Sequence, residues 1–311
     1  MKNIKVGKVL LDLSCYCGED LYSDGEIEDQ LLELARKHTD SELNCLISEQ
    51  YSWPLLYHFS GIRANIISWM PITGQESILE IGSGCGAITG MLAQKAGKVD
   101  CIELSKKRSM INAERNRERN NVTIHVGNYV DIEKILEQKY DVITLIGVLE
   151  YASSYIQGTQ EPYSDFLKNI RSHLKPNGKL VIAIENRVGL KYVAGCKEDH
   201  VGLIGEGLRG YPQTTSVRTF DKQELLSLLQ ASGFCHNEFY YPYPDYKFPN
   251  KIFTDDYLPS ERELCTNYNN FDQERIELFS ETEGFNFLIK NNLFPIFSNS
   301  FLTISQGVQN A

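Results

Sequence analysis

Residues Ile78 to Thr89 read ILEIGSGCGAIT. The apolar run closes on Glu80, and Gly82, Gly84 and Gly86 then follow at every second position. That order describes a buried strand ending in a tight turn that opens a helix. Glycine at such a turn lets backbone N–H groups approach a ligand that any Cβ would hold away. Gly82, Gly84 and Ala87 also satisfy the looser dinucleotide fingerprint G-x-G-x-x-G/A, with Glu103 near the distance where a ribose-binding acid is expected. The loop alone indicates an adenosine-containing cofactor and leaves two chemistries open.

The surrounding pattern extends the strand–turn–helix unit in both directions. The periodicities predict strand 77–82, helix 85–95, strand 98–103, helix 106–118, strands 122–127 and 140–146, helix 163–174 and strand 179–185. Such alternation requires a mostly parallel sheet covered on both faces, because each parallel crossover needs a connecting helix. A helix at Lys222–Ser232, a strand at Cys235–Tyr241 and a last strand at Asn299–Ser305 follow, separated by two excursions at about 186–220 and 242–297. Upstream, Ile27, Leu31 and Leu34 mark a helix from Glu26 to His38, and Leu55, Phe59, Ile62, Ile66 and Trp69 mark another from about Pro54 to Met70. Residues 1–74 thus read as an N-terminal helical cap or lid before a core at 75–311.

Composition narrows the function classes. With 311 residues and 42% hydrophobic content the chain is an ordinary globular protein. Its formal charge of −10 argues against nucleic acid as the substrate, since phosphate binding relies on clustered Lys and Arg. No stretch approaches the run of about 18 apolar residues that a membrane span needs, and the chain reads as cytoplasmic. The 8 cysteines lack structural-zinc spacing and read as reduced, packed thiols.

The glycine loop, with its acid two places before the first glycine, resembles the cofactor loop of class I S-adenosylmethionine-dependent methyltransferases. The resemblance implies a seven-stranded Rossmann-like α/β sheet, mostly parallel with an antiparallel last strand, and the two C-terminal strands fit that ending. A dehydrogenase would instead be expected to continue with a second mononucleotide-binding half or a substrate domain, so hydride transfer ranks last. By the same resemblance Glu80 heads the loop, Gly82, Ser83, Gly84 and Gly86 approach the cofactor, and Glu103, followed by Leu104, takes the ribose hydroxyls. A carboxylate suits that task because its two oxygens accept from two neighbouring donors. Asn128 and Tyr129 stand where many members carry an adenine-binding Asp, while Gly147 and Val148 fall beneath the adenosine and methyl region. Arg63 is a candidate for the cofactor carboxylate, and Tyr51 or Trp53 for a covering lid. His58 reads as a packed histidine.

The stretch AIENRVGLKYVAGCKEDHVG is similar to a signature of methyltransferases encoded beside glycosyltransferases in surface polysaccharide and lipopolysaccharide clusters. LYSDGEIED, YSWPLLYHFSGIRANI, GVLEYA, VRTF, YPYPDYKFP and FSNSFL extend that likeness over nearly the whole chain. It implies methyl transfer to a sugar oxygen in glycan assembly, with the two excursions as substrate insertions. A sugar hydroxyl is a poor nucleophile at neutral pH, so a general base is expected. His200 is the first candidate, oriented by Glu198 or Asp199, with Glu150 and Glu185 as rivals at strand ends. Tyr151, Asn186, Tyr192, Asp199, Asp245 and Tyr246 are the candidate acceptor contacts.

The expected partner is a small-molecule or glycan acceptor, with the oligomeric state open. Glu185-Asn186 has the look of half a magnesium site of the catechol-type enzymes, but the first half falls near Ile146 and Gly147, where only a displaced Glu150 could substitute. No metal is therefore assigned. A small natural product or peptide acceptor is the first alternative, and a cofactor-binding interaction subunit without catalysis the second.

Overall fold

The computed structural model describes residues 3–20, 23–50, 52–156, 158–214, 216–267 and 275–307. The chain divides into two compact units, one of Met1–Leu145 with Ser172–Lys179, the other of Ile146–Arg171 with Leu180–Ala311.

The first unit carries strands β1 (Asn3–Val6), β2 (Val9–Asp12), β3 (Ser77–Ile81), β4 (Lys98–Glu103), β5 (Val122–Val126) and β6 (Tyr140–Ile146), in the order β1-β2-β5-β4-β3-β6. Strand β3 pairs in parallel with β4 and β6, placing Glu80 opposite Cys101 and Thr144. Its residues Ile78 to Ile81 are all buried, as expected of a central strand covered on both faces. The helices Thr89–Lys95 and Lys106–Arg115 follow β3 and β4. Leu31, Leu43, Leu55 and Phe59 from the N-terminal helices pack with Cys85 and Ile111, which anchors those helices against the glycine loop.

The N-terminal expectation needs correction in three places. The chain starts with the antiparallel hairpin β1–β2, and β2 adds in parallel to β5, so the segment is not wholly helical. A further helix, Asp40–Gln50, lies between the two expected ones. The second expected helix breaks into Trp53–Phe59, a 3₁₀ turn Gly61–Ala64 and Asn65–Ser68. Ser60 causes the break: its backbone is extended, and its hydroxyl accepts the N–H of Ile62 at 3.4 Å, starting a new turn.

In the second unit the latter half of β7 (Leu174–Glu185) is followed in space by β10 (Ser300–Gly307), β8 (Phe234–Tyr243) and β9 (Lys251–Thr254). The last strand inserts next to β8 and runs antiparallel to it, as the resemblance implies. Strand β9 lies inside the second excursion and pairs antiparallel with β8. With β1, β2 and β9 the described residues contain 10 strands rather than the seven expected. The helix Lys222–Ala231 starts on a reciprocal capping box between Asp221 and Glu224. No described helix is long and apolar enough to cross a membrane.

Candidate active site

In the first unit the glycine loop is held from both sides. Gly82, Gly84 and Gly86 have φ of 72°, 53° and 79°, the left-handed region that a side chain disfavours. A Cβ on Gly86 would stand 2.5 Å from Asn112 Oδ1, whereas one on Gly84 would meet nothing within 4 Å. Gly86 is thus required for packing, and Gly84 presents its backbone to open space. Glu80 is buried, and Thr89 donates its hydroxyl to Glu80 Oε2 at 2.6 Å, tying the strand to the start of the helix. Burial pushes the Glu80 carboxyl up to about 7 against that hydrogen bond.

Glu103 closes the far side of the loop. Its Oε2 accepts the Gly84 N–H at 2.8 Å and its Oε1 accepts the Ser105 N–H at 2.9 Å. Burial raises its pKa against these donors and the charge of Arg108, and each oxygen keeps a lone pair for a further donor. Leu104 beside it is half-buried. Asn128 accepts the Val130 N–H at 3.3 Å and caps the turn Tyr129–Ile132, with Tyr129 buried beneath. Arg63 is buried, stacks over Tyr57 at 4.0 Å and donates Nη1 to Tyr57 O at 2.9 Å. Its Nε has no hydrogen-bond partner among the described residues. A buried guanidinium N–H left over in this way fits a carboxylate ligand. Ser83 Oγ is likewise buried without a partner. Tyr51 lies outside the described residues. His58 is buried as expected, with Nε2 3.1 Å from Asp24 Oδ2 and its pKa lowered chiefly by burial.

The second unit gathers a buried ionic cluster at the ends of its first segments. Gly147 follows β6 with φ of 70°, and a Cβ there would meet the Tyr246 hydroxyl at 2.7 Å and Glu150 Oε1 at 3.6 Å. Val148 is buried beside it. Glu150 and Glu185 are 1% and 0% exposed. His200 brings Nε2 to 3.4 Å from Glu150 Oε1 and 3.9 Å from Glu185 Oε2, while Nδ1 lies 3.1 Å from Glu198 Oε1. Burial opposes a charge on the imidazole, but Glu185, Glu150 and Glu198 outweigh it and hold the pKa well above the ordinary histidine range. Tyr151 packs edge-on to the His200 ring at 5.5 Å. The three candidate bases therefore converge.

The remaining acceptor candidates divide. Asn186 donates Nδ2 to Ile296 O and Ser298 O, both at 2.7 Å, and takes the Val188 N–H on Oδ1. Its amide protons are spent on the backbone, so it ties the end of β7 to the last strand and does not offer donors to an acceptor. Tyr192 donates to Asp199 Oδ2. Asp199 also meets Lys191 at 2.8 Å and Lys247 at 3.1 Å, and Asp245 meets Lys191 at 2.8 Å. Burial works against the Asp199 charge, but the two ammonium groups hold its carboxyl far below the usual range. Lys247 reaches Glu185 Oε1 as well. Neither lysine is among the candidate site residues of the sequence, although Lys191 lies within the signature stretch and Lys247 stands two residues after the candidate Asp245.

Residues 79–180 match the family model described as a methyltransferase domain. The matched stretch is about a third of the chain and contains the loop glycines and the doubly fixed Glu103; the cofactor of such a methyltransferase domain is S-adenosylmethionine. Relatives of the chain carry different acceptors in their names. A ribosomal RNA small subunit methyltransferase A from Syntrophus aciditrophicus is 30% identical over 153 residues, 48% of this chain and 51% of that protein. A ubiquinone biosynthesis O-methyltransferase from Rickettsia akari is 32% identical over 121 residues, 38% of this chain and 43% of that protein. The chain spans about half the length of the curated relatives it matches. Among solved structures, phosphoethanolamine N-methyltransferase 1 of Haemonchus contortus, with phosphoethanolamine and S-adenosylhomocysteine, aligns with a TM-score of 0.48 at 14% identity, over 90% of this chain and 51% of that one.

Proposed function

We propose that the chain is an S-adenosylmethionine-dependent methyltransferase that O-methylates a sugar hydroxyl in surface-glycan or related biosynthesis, in the cytoplasm, by direct in-line transfer. The observation that carries the acceptor chemistry is the pair of buried carboxylate oxygens, Glu150 Oε2 and Glu185 Oε2, which have no hydrogen-bond partner among the described residues. A buried carboxylate oxygen without a donor is costly unless a ligand supplies one, and a polyhydroxylated acceptor supplies several.

The sulfonium cofactor already carries an activated methyl group, so the protein has to hold the two reactants in line and exclude water. In the cofactor half, Glu103 takes the ribose hydroxyls, Gly82, Ser83, Gly84 and Gly86 line the close approach, and Arg63 Nε takes the carboxylate. Asn128, Tyr129, Gly147 and Val148 border the adenosine. In the acceptor half, Glu150 and Glu185 receive the hydroxyl proton, His200, kept protonated by its carboxylate neighbours, orients them in place of the base role expected from sequence, and Tyr151 and Tyr246 contact the sugar. Asp199 and Asp245 are committed to Lys191 and Lys247, and Tyr192 to Asp199, which makes them the frame of that half. Residues 1–74 serve as a cap on the core at 75–311, with the excursions 186–220 and 242–297 as the acceptor-recognition segments.

An RNA acceptor, named for one relative, fits poorly with a formal charge of −10 and an acidic site, since both repel phosphates. The test is a screen of nucleotide sugars, glycan intermediates and small phenolic or peptide acceptors with isotope-labelled S-adenosylmethionine, scored by a mass gain of one methylene. Turnover confined to the sugars supports the reading; turnover confined to phenols or peptides replaces the acceptor.

A further inference from the structure

The cluster around His200 has more anions than its cations balance. Glu150, Glu185, Glu198, Asp199 and Asp245 face Lys191, Lys247 and a single imidazole. Lys191 and Lys247 sit on the Asp199 side, where they answer Asp199, Asp245 and one oxygen of Glu185. On the other side two carboxylate oxygens converge on His200 Nε2. One ligand atom from each of Glu150, Glu185 and His200 can be chosen so that all lie within 4.8 Å of one another.

The distances do not describe hydrogen bonds. At 3.4 and 3.9 Å, His200 Nε2 is too far from Glu150 Oε1 and Glu185 Oε2 for a well-formed one. They are close to the spacing of atoms that share an ion: ligands at about 2.1 Å from one centre stand roughly 3.0–3.5 Å apart. The other side of the ring is built as a metal-bound histidine requires. Nδ1 is held by Glu198 at 3.1 Å, and Glu198 is itself fixed by the N–H groups of His200 and Val201 at 2.7 and 2.8 Å. A carboxylate on Nδ1 fixes the tautomer and aims Nε2 at the ion. Independently, Glu150 Oε2 and Glu185 Oε2 are buried and partnerless among the described residues, on side chains 1% and 0% exposed. Asn186 is excluded as a ligand by its backbone bonds.

We propose that Glu150, Glu185 and His200 Nε2 form a binding site for one divalent cation of the first transition row, of the Mn²⁺ or Zn²⁺ kind. An imidazole with two carboxylates favours such ions over Mg²⁺ or Ca²⁺, which prefer all-oxygen shells. Binding displaces the proton that the carboxylates otherwise hold on the imidazole. Three protein ligands leave coordination positions for an acceptor hydroxyl, whose deprotonation the ion would favour. That use rests on the proposed methyl transfer; the binding itself does not.

The test is a titration of Mn²⁺ alone into chelator-dialysed full-length protein, followed by the loss of the free-ion electron paramagnetic resonance signal. Wild type is expected to take up one ion per chain, Glu150→Gln and His200→Ala to take up none, and Glu198→Gln to bind about 10–100-fold more weakly. A circular dichroism spectrum and a cooperative thermal melt of each variant report that it is folded. Folded wild type that leaves the Mn²⁺ signal unchanged at millimolar protein overturns the proposal, as does uptake that Glu150→Gln and His200→Ala leave intact. Neither cofactor nor acceptor enters the titration, so its failure leaves the methyl-transfer reading standing. Loss of S-adenosylmethionine binding in wild type with Mn²⁺ uptake intact would sink that reading alone.

Discussion

The backbone N–H of Gly84 donates to Glu103 Oε2 at 2.8 Å, joining the turn after β3 to the tip of β4. One carboxylate thereby sets the loop conformation and, on the proposed reading, accepts from the ribose hydroxyls. Replacing Glu103 by Ala removes both functions. Two charge-assisted hydrogen bonds are worth about 1.5–3 kcal/mol each, so S-adenosylmethionine affinity should fall about 100-fold or more. Glu103→Gln should fall less, since its amide oxygen can still accept the Gly84 N–H.

The loop glycines should separate stability from binding. Gly86→Ala drives a Cβ to 2.5 Å from Asn112 Oδ1, and Asn112 is buried and bonded to Thr89 at 3.0 Å. We expect a loss of about 2–3 kcal/mol, combining the clash with left-handed strain. Gly84→Ala meets no atom within 4 Å, so its stability cost should stay near the strain alone, about 1 kcal/mol, while cofactor affinity drops. Thermal melts and calorimetric titrations of both variants check the split.

Glu80 makes stability depend on pH. Its folded carboxyl holds its proton up to about 7, against 4.5 for an ordinary glutamate. The folded state therefore binds more protons between those values, and the stabilisation present below the lower one is lost as pH rises through the upper. Urea midpoints at about pH 5 and about pH 8 should differ more in wild type than in Glu80→Gln. Equal pH slopes would show that Glu80 ionises normally.

Lys191 is buried between Asp199 and Asp245, 2.8 Å from each. Lys191→Met leaves those carboxylates short of a counter-charge, which costs about 3–5 kcal/mol in buried pairs. Urea denaturation should show this loss, and Asp245→Asn added to Lys191→Met should recover part of it. A loss below about 1 kcal/mol would place the pair in the class of exposed bridges.

What the sequence reveals here is local. The apolar run ending at Glu80 and the glycines after it mark strand, turn and an adenosine-containing cofactor within a dozen residues, with two chemistries still open, and Glu103 falls at the end of the next apolar strand. Strands β1 and β2 are four residues each, and Lys5, Gly7 and Lys8 interrupt their apolar pattern, so nothing separates them from a loop before β5 is known to lie beside them. Lys247 escapes for a different reason. Its partners Glu185 and Asp199 lie 62 and 48 residues away, and an ion pair of that range leaves no periodic trace. Asn186 shows the converse error: an acid-amide pair at a strand end has a chemical look, yet both amide protons serve the backbone.

The central claim is that the loop Ile78–Thr89 with Glu103 binds S-adenosylmethionine. The direct measurement is calorimetric titration of S-adenosylmethionine, and separately of NAD, into wild type and Glu103→Ala. The account predicts saturable binding of one S-adenosylmethionine per wild-type chain, loss of that binding in Glu103→Ala, and no heat from NAD. Folded wild-type protein that ignores S-adenosylmethionine, or that prefers NAD, would contradict it.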